Sequence, residues 1–105
     1  MMNGAVGMIE VYGLVAAFAA CDAGCKAADV TVEPFDKNRP MSAEGIPVPL
    51  LVLVKFRGTV DNVKAAMEAA EAAANRVSGV STKHFISGVE EEAEPMLHLN
   101  AFDKT

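Results

Sequence analysis

The chain has little of what usually assigns a small protein quickly. Only two of its 105 residues are cysteines, Cys21 and Cys25. Four apart in a helical pattern, they make a poor disulfide framework and supply only half of the four ligands of a structural zinc site. They read as small core hydrophobes. Basic residues are also scarce: nine Lys and Arg stand against fourteen Asp and Glu, for a net charge of -5, and no basic stripe appears. Electrostatic capture of nucleic acid requires clustered cations that release condensed counterions, so that class is excluded. There is no charged N-terminal region followed by a cleavable apolar run. Apolar runs such as Leu50 to Val54 fall far short of the roughly 20 residues a membrane span needs. The expectation is a soluble cytoplasmic protein that binds neither membrane nor nucleic acid.

What is present is apolar surface in excess. Hydrophobic residues make up 51% of the chain and charged residues 22%. A chain of this length makes one domain, 1–105, with a modest core. It cannot hide so much apolar surface alone, so association with further copies is expected.

The stretch from Val30 to Gly58 organises the rest. It reads as a strand (Val30-Thr31-Val32-Glu33), a Pro/Gly-punctuated loop from Pro34 to Pro47, and the most apolar strand of the chain, Val48 to Arg57. Each side of it carries one Ala-rich helix and one further strand, and any small molecule is expected at this loop. The first strand spans Ala5 to Val11 and ends at Tyr12-Gly13. Glu10 is its odd residue. One reading is a carboxylate bonded to backbone N–H or to a neighbouring chain; the other is a catalytic acid, without a nearby His or second acid to support it.

From Leu14 the residues Leu14, Phe18, Cys21 and Cys25 fall on one helical face, with alanines between them, and predict a helix to about Ala28 whose Asp22 and Lys26 can pair. In the second half Thr59 suits an N-cap, Asp61 the first turn, and Val60, Val63, Met67, Ala70, Ala74 and Val77 the buried face of a helix closed by Ser78-Gly79. Val80 to Ile86 follows as a strand, with Val80, Thr82, His84 and Ile86 on one face and Ser81, Lys83 and Phe85 on the other.

Two β-α-β halves of this order predict an α+β, ferredoxin-like fold: a four-stranded antiparallel sheet over about residues 5–86, with both helices on one face. The other face is open unless something covers it. In the C-terminal segment, 87–105, Glu90-Glu91-Glu92 and Glu94 read as solvated charge. The apolar residues after Pro95 either dock on the sheet or fray.

Several short stretches, in order, resemble the single-domain shell proteins of bacterial microcompartments (the BMC domain). They are Gly7-Met8-Ile9-Glu10, Tyr12-Gly13-Leu14-Val15-Ala16-Ala17, Ala20-Cys21-Asp22-Ala23, Lys26-Ala27-Ala28-Asp29-Val30, Arg57-Gly58-Thr59-Val60 and Val63-Lys64-Ala65-Ala66. The resemblance implies a flat homohexamer that joins other shell proteins edge to edge around encapsulated enzymes in the bacterial cytoplasm. It also implies a pore on the six-fold axis. It assigns Lys26 to the tile edge, facing its two-fold mate, and Glu10 to a subunit contact.

Two departures stand out: the 37–49 segment is long and carries Pro40, Pro47 and Pro49, and Ser87-Gly88-Val89 replaces the family's Arg-Pro after the fourth strand. The first points to a pore that is narrower, differently charged or occluded, the second to altered facet contacts.

The pore candidates are Lys37, Asn38, Arg39, Glu44 and Gly45. Repeated around an axis, Lys37 and Arg39 make a basic ring favouring anions, while Glu44 opposes it. An ordinary solvated surface loop is the competing reading. Some relatives bind an iron–sulfur cluster on loop cysteines; this loop has none, so neither cluster nor metal is expected. His84 and His98 are lone histidines, read as structural. A non-enzymatic shell tile is therefore the leading reading. A ferredoxin-like regulatory domain that closes its long loop over an anionic effector is the alternative, with an enzyme third.

Overall fold

Alternation along the strands decides where the core lies. In β1 (Ala5–Tyr12), Ala5, Ile9 and Val11 are buried in the main cluster, while Met8, Glu10 and Tyr12 are only partly covered. Successive strand residues point to opposite faces, so the first set marks the face that the helices cover. In β3 (Leu51–Gly58), Val52, Val54 and Phe56 join that core. Lys55 and Arg57 fall on the other side of the strand.

The computed structural model describes residues 4–38 and 50–100. Its elements run β1, α1 (Leu14–Ala27), β2 (Thr31–Asn38), β3, α2 (Val60–Val77), β4 (Val80–Ile86) and a short 3-10 helix, Glu94–His98. The sheet order is β2-β3-β1-β4, and every neighbouring pair is antiparallel. The expected four-stranded antiparallel sheet with two helices is present. Among the described residues, no helix is long and apolar enough to cross a membrane.

The helices start by different means. Gly13 turns the chain from β1 into α1 at φ 91, a conformation an L side chain resists. Thr59 caps α2 as predicted, its hydroxyl accepting from the Asn62 N–H at 3.3 Å. Ser78 closes α2, its N–H donating to the Ala74 carbonyl at 2.9 Å.

Three expectations change. Strand β2 does not stop at Glu33 but continues to Asn38, because it is an edge strand and its pairing slips between Glu33 and Asp36. Pro34 lies in that slip, where no ladder bond is demanded of the nitrogen it lacks. Strand β4 does not alternate cleanly: Val11 faces Val80 and Glu10 faces Thr82, so Ser81 is bulged out and Val80 joins Phe85 against the core. Cys25 is not a core residue; it is exposed, and Cys21 is only partly buried. Desolvation, with Cys25 and Asp22 adding to it, pushes the Cys21 thiol up to about 11, so it stays protonated near neutrality.

Candidate functional site

The inward face of α1 is made of small residues. Ala16, Ala17, Ala20 and Gly24 are buried, and the large apolar side chains point away. Val15 is 71% exposed, Phe18 60% and Leu14 39%. The apolar helix face read from Leu14, Phe18, Cys21 and Cys25 is thus mostly the outer one. The cause is space. A Cβ placed on Gly24 would land on the Phe56 ring and lie 3.2 Å from the Ala66 carbonyl of α2. Phe56 fills the gap beneath the helix, so only glycine and alanine fit above it. On the outer side Phe18 meets Phe35 of β2, ring centres 5.4 Å apart and planes tilted by 56°. The result is an apolar stripe open to solvent in a single copy.

The residues singled out by sequence sit in different places. Lys26 is exposed in the last turn of α1 and pairs with Asp22 at 2.8 Å, as its spacing predicted. The hydrogen bond that Lys26 donates to the Asp22 carboxylate raises the lysine's pKa. Glu10 is half-buried on the central strand β1, between Leu53 of β3 and Thr82 of β4. Lys37 and Asn38, assigned to a loop, are the last residues of β2, opposite Val52 and Leu51. Arg39, Glu44 and Gly45 lie outside the described residues.

A cluster the sequence reading missed covers the sheet face opposite the helices. Here the C-terminal residues 94–99 dock on β2 and β3. Arg57 binds Glu94 through both terminal guanidinium nitrogens, Nη2 to Oε2 at 3.1 Å, and also reaches Glu33 at 3.3 Å. His98 Nδ1 is 2.8 Å from the second oxygen of Glu33. Lys55 is 2% exposed, and its Nζ donates to the Leu97 and Leu99 carbonyls, each at 2.9 Å.

Burial lowers the Lys55 pKa, while Asp36 and Glu33 work against that shift. Bonding to Arg57 holds the Glu94 carboxyl below its ordinary value, and the same bond raises the guanidinium. One signal could have found this site: two cations two residues apart in the most apolar strand share a face, and a buried cation demands acceptors. Glu33, Glu94 and His98 bring ligand atoms within 4.8 Å of one another. Arg57 binds both carboxylates, so these residues form an ion-pair network. The hollow between α2 and β4 is likewise internally matched: Lys83 pairs with Glu71 at 2.7 Å, and Lys64 lies 5.2 Å from the centre of the Phe85 ring.

The BMC domain profile matches residues 5–89. The chain is 38% identical over 97 residues to the bacterial microcompartment shell protein PduA of Salmonella typhimurium, covering 92% of this chain and 94% of that one. It is 39% identical over 100 residues to the carboxysome shell protein CcmK2 of Synechocystis, covering 93% and 88%. To the carboxysome shell protein CsoS1C of Hydrogenovibrio crunogenus it is 38% identical over 96 residues, covering 90% and 85%. Among solved structures, a microcompartment protein from Desulfitobacterium hafniense superposes with a TM-score of 0.70 at 18% identity. That match covers 90% of this chain, which spans about half (49%) of the larger protein, and it shows the shared fold.

Proposed function

The chain belongs to the BMC-domain family of bacterial microcompartment shell proteins, and from that premise we propose that its copies close into cyclic hexamers. These join edge to edge, with other shell proteins, into facets around encapsulated enzymes, and leave a central pore for small metabolites. The role is structural and selective, not enzymatic.

The observation that carries this reading is the outer face of α1. Leu14, Val15 and Phe18 stand in water on a helix whose other face is already core. Burying a side chain such as Phe18 contributes about 2 kcal/mol, and a closed ring collects that contribution at every subunit contact. In the proposed tile Lys26 lies at the outer edge and Glu10 near a subunit contact. Lys37, Asn38, Arg39, Glu44 and Gly45 approach the axis, where a ring of Lys37 and Arg39 attracts phosphates or carboxylates and Glu44 moderates it. For the assembled tile to use Lys26 at its edge, the bond to Asp22 must be exchanged for one to the neighbouring tile, a small cost for so exposed a pair.

Electron microscopy and sedimentation of the purified protein test the assembly: rings of six and extended sheets are the expected species. A stable monomer at high concentration would overturn it. Lys26→Ala is expected to leave hexamers intact and reduce sheet formation; unchanged sheets would remove Lys26 from the edge. Reversing the charge at Lys37 and Arg39 is expected to change anion flux through reconstituted shells, and an unaltered flux would place both outside the pore.

A further inference from the structure

The C-terminal strap is attached in an unusual way. No residue of the 3-10 helix Glu94–His98 is buried, and Met96 and Leu99 are 63% and 51% exposed. Apolar burial therefore does not hold it. What holds it is polar: Glu94 on Arg57, His98 on Glu33, and two backbone carbonyls on Lys55. Arg57 offers a fork that fits a carboxylate. Two residues back along β3, the Lys55 ammonium takes the carbonyls at the end of the turn that follows the acid. Of these two cations Arg57 reads a side chain, the acid, and Lys55 reads backbone; His98 on Glu33 adds one further side-chain contact.

We propose that Lys55 and Arg57 form a binding site for a short acidic peptide segment, one glutamate followed by a single helical turn, supplied by another polypeptide. The strap is then the site's internal competitor. Charge complementarity is the reason. Lys55 is 2% exposed with the strap in place, and a segment seated as the strap is would offer its ammonium the same two carbonyl acceptors. Glu33 and Asp36 on β2 lie close enough to act on Lys55, so the site suits one carboxylate and disfavours a polyanion such as nucleic acid. Release of the strap sacrifices little apolar contact, since Met96 and Leu99 are already in water and Leu97 is only partly buried. The inference stands independently of hexamer formation.

The test uses the full-length protein and a fluorescent peptide with the sequence of residues 90–100, followed by anisotropy. In the wild-type chain the tethered strap holds the site, so the peptide binds weakly. Glu94→Gln removes the charged anchor of the strap. It is expected to tighten peptide binding about ten-fold, because apparent affinity scales with the fraction of open sites. In that variant, replacing the peptide's own glutamate at position 94 by glutamine, or Arg57 by lysine, is expected to weaken binding about ten-fold again. Circular dichroism confirms that each protein remains folded, and hydrogen exchange reports on the strap amides. Equal affinity in wild type and Glu94→Gln overturns the proposal, as does undiminished binding of the glutamine peptide. So does a strap that exchanges freely in Glu94→Gln while no peptide binds, or one that stays protected there.

Discussion

Helix α2 buries Val63, Ala66, Met67, Ala70, Ala73 and Ala74 and leaves Lys64, Glu68 and Ala72 in water. Helix α1 buries Ala16, Ala17, Ala20 and Gly24 and leaves Leu14, Val15 and Phe18 there. Both helices are alanine-rich, yet they divide their large residues in opposite directions. In α2 one apolar stripe meets the core and the rest is solvated, as for an ordinary surface helix. In α1 both sides are apolar, and the core has taken the smaller one. A helix apolar on both faces is expected in an interior. A single copy leaves the outer face of α1 in water, and in the proposed ring a second copy would cover it.

The contrast can be broken in several places. The largest effect is expected at Gly24, where Gly24→Val drives a side chain into Phe56. Overpacking of that kind costs about 3 kcal/mol, read as a lower denaturant midpoint; a shift of less than a third of that would mean the two helices part easily. Next comes Phe18→Glu on the outer face, expected to lower monomer stability by about 1 kcal/mol, through loss of its contact with Phe35. It should weaken assembly by about 2 kcal/mol per copy, measured by sedimentation across a concentration series. Ala72→Glu on α2 is its control and should change neither quantity.

Smaller effects separate the helix starts. Thr59→Ala removes the only side-chain cap seen on the two helices and should cost about 1 kcal/mol. Gly13→Ala should cost a similar amount through backbone strain instead, with φ 91 to maintain. At the outer end of α1, Asp22→Asn should change monomer stability by only a few tenths of a kcal/mol.

The smallest effect on global stability is expected from acid. Because Arg57 depresses the folded-state pKa of Glu94, that pairing contributes fully above the unfolded carboxyl value and is lost as pH falls through the lower folded one. Strap amides should therefore lose hydrogen-exchange protection at low pH before α1 or α2 does. Simultaneous loss in all three would tie the strap to the core.

Much of this was legible beforehand, and the reasons differ by element. Thr59, Ser78 and Gly79 punctuate α2 through local chemistry, so its ends were predictable. The buried face of α2 was predictable in the middle, at Val63, Met67, Ala70 and Ala74. It failed at Val60 and Val77, which are partly exposed at the helix ends. The path of β2 past Pro34 was not legible, because a proline is tolerated there only if the strand lies at the sheet edge. The Arg57 network was hidden because its partners lie 24 and 37 residues away, and His98 lies 65 from Glu33.

The sequence alone determined the order and kind of the elements, the antiparallel sheet and the surplus of apolar surface, because periodicity, caps and composition act over a few residues or over the whole. Only the tertiary structure decided which face of α1 turns inward and what covers the back of the sheet. Both depend on how much room a distant residue leaves: Phe56 occupies the space under α1, and the buried cations of β3 require acceptors that no neighbour in sequence provides.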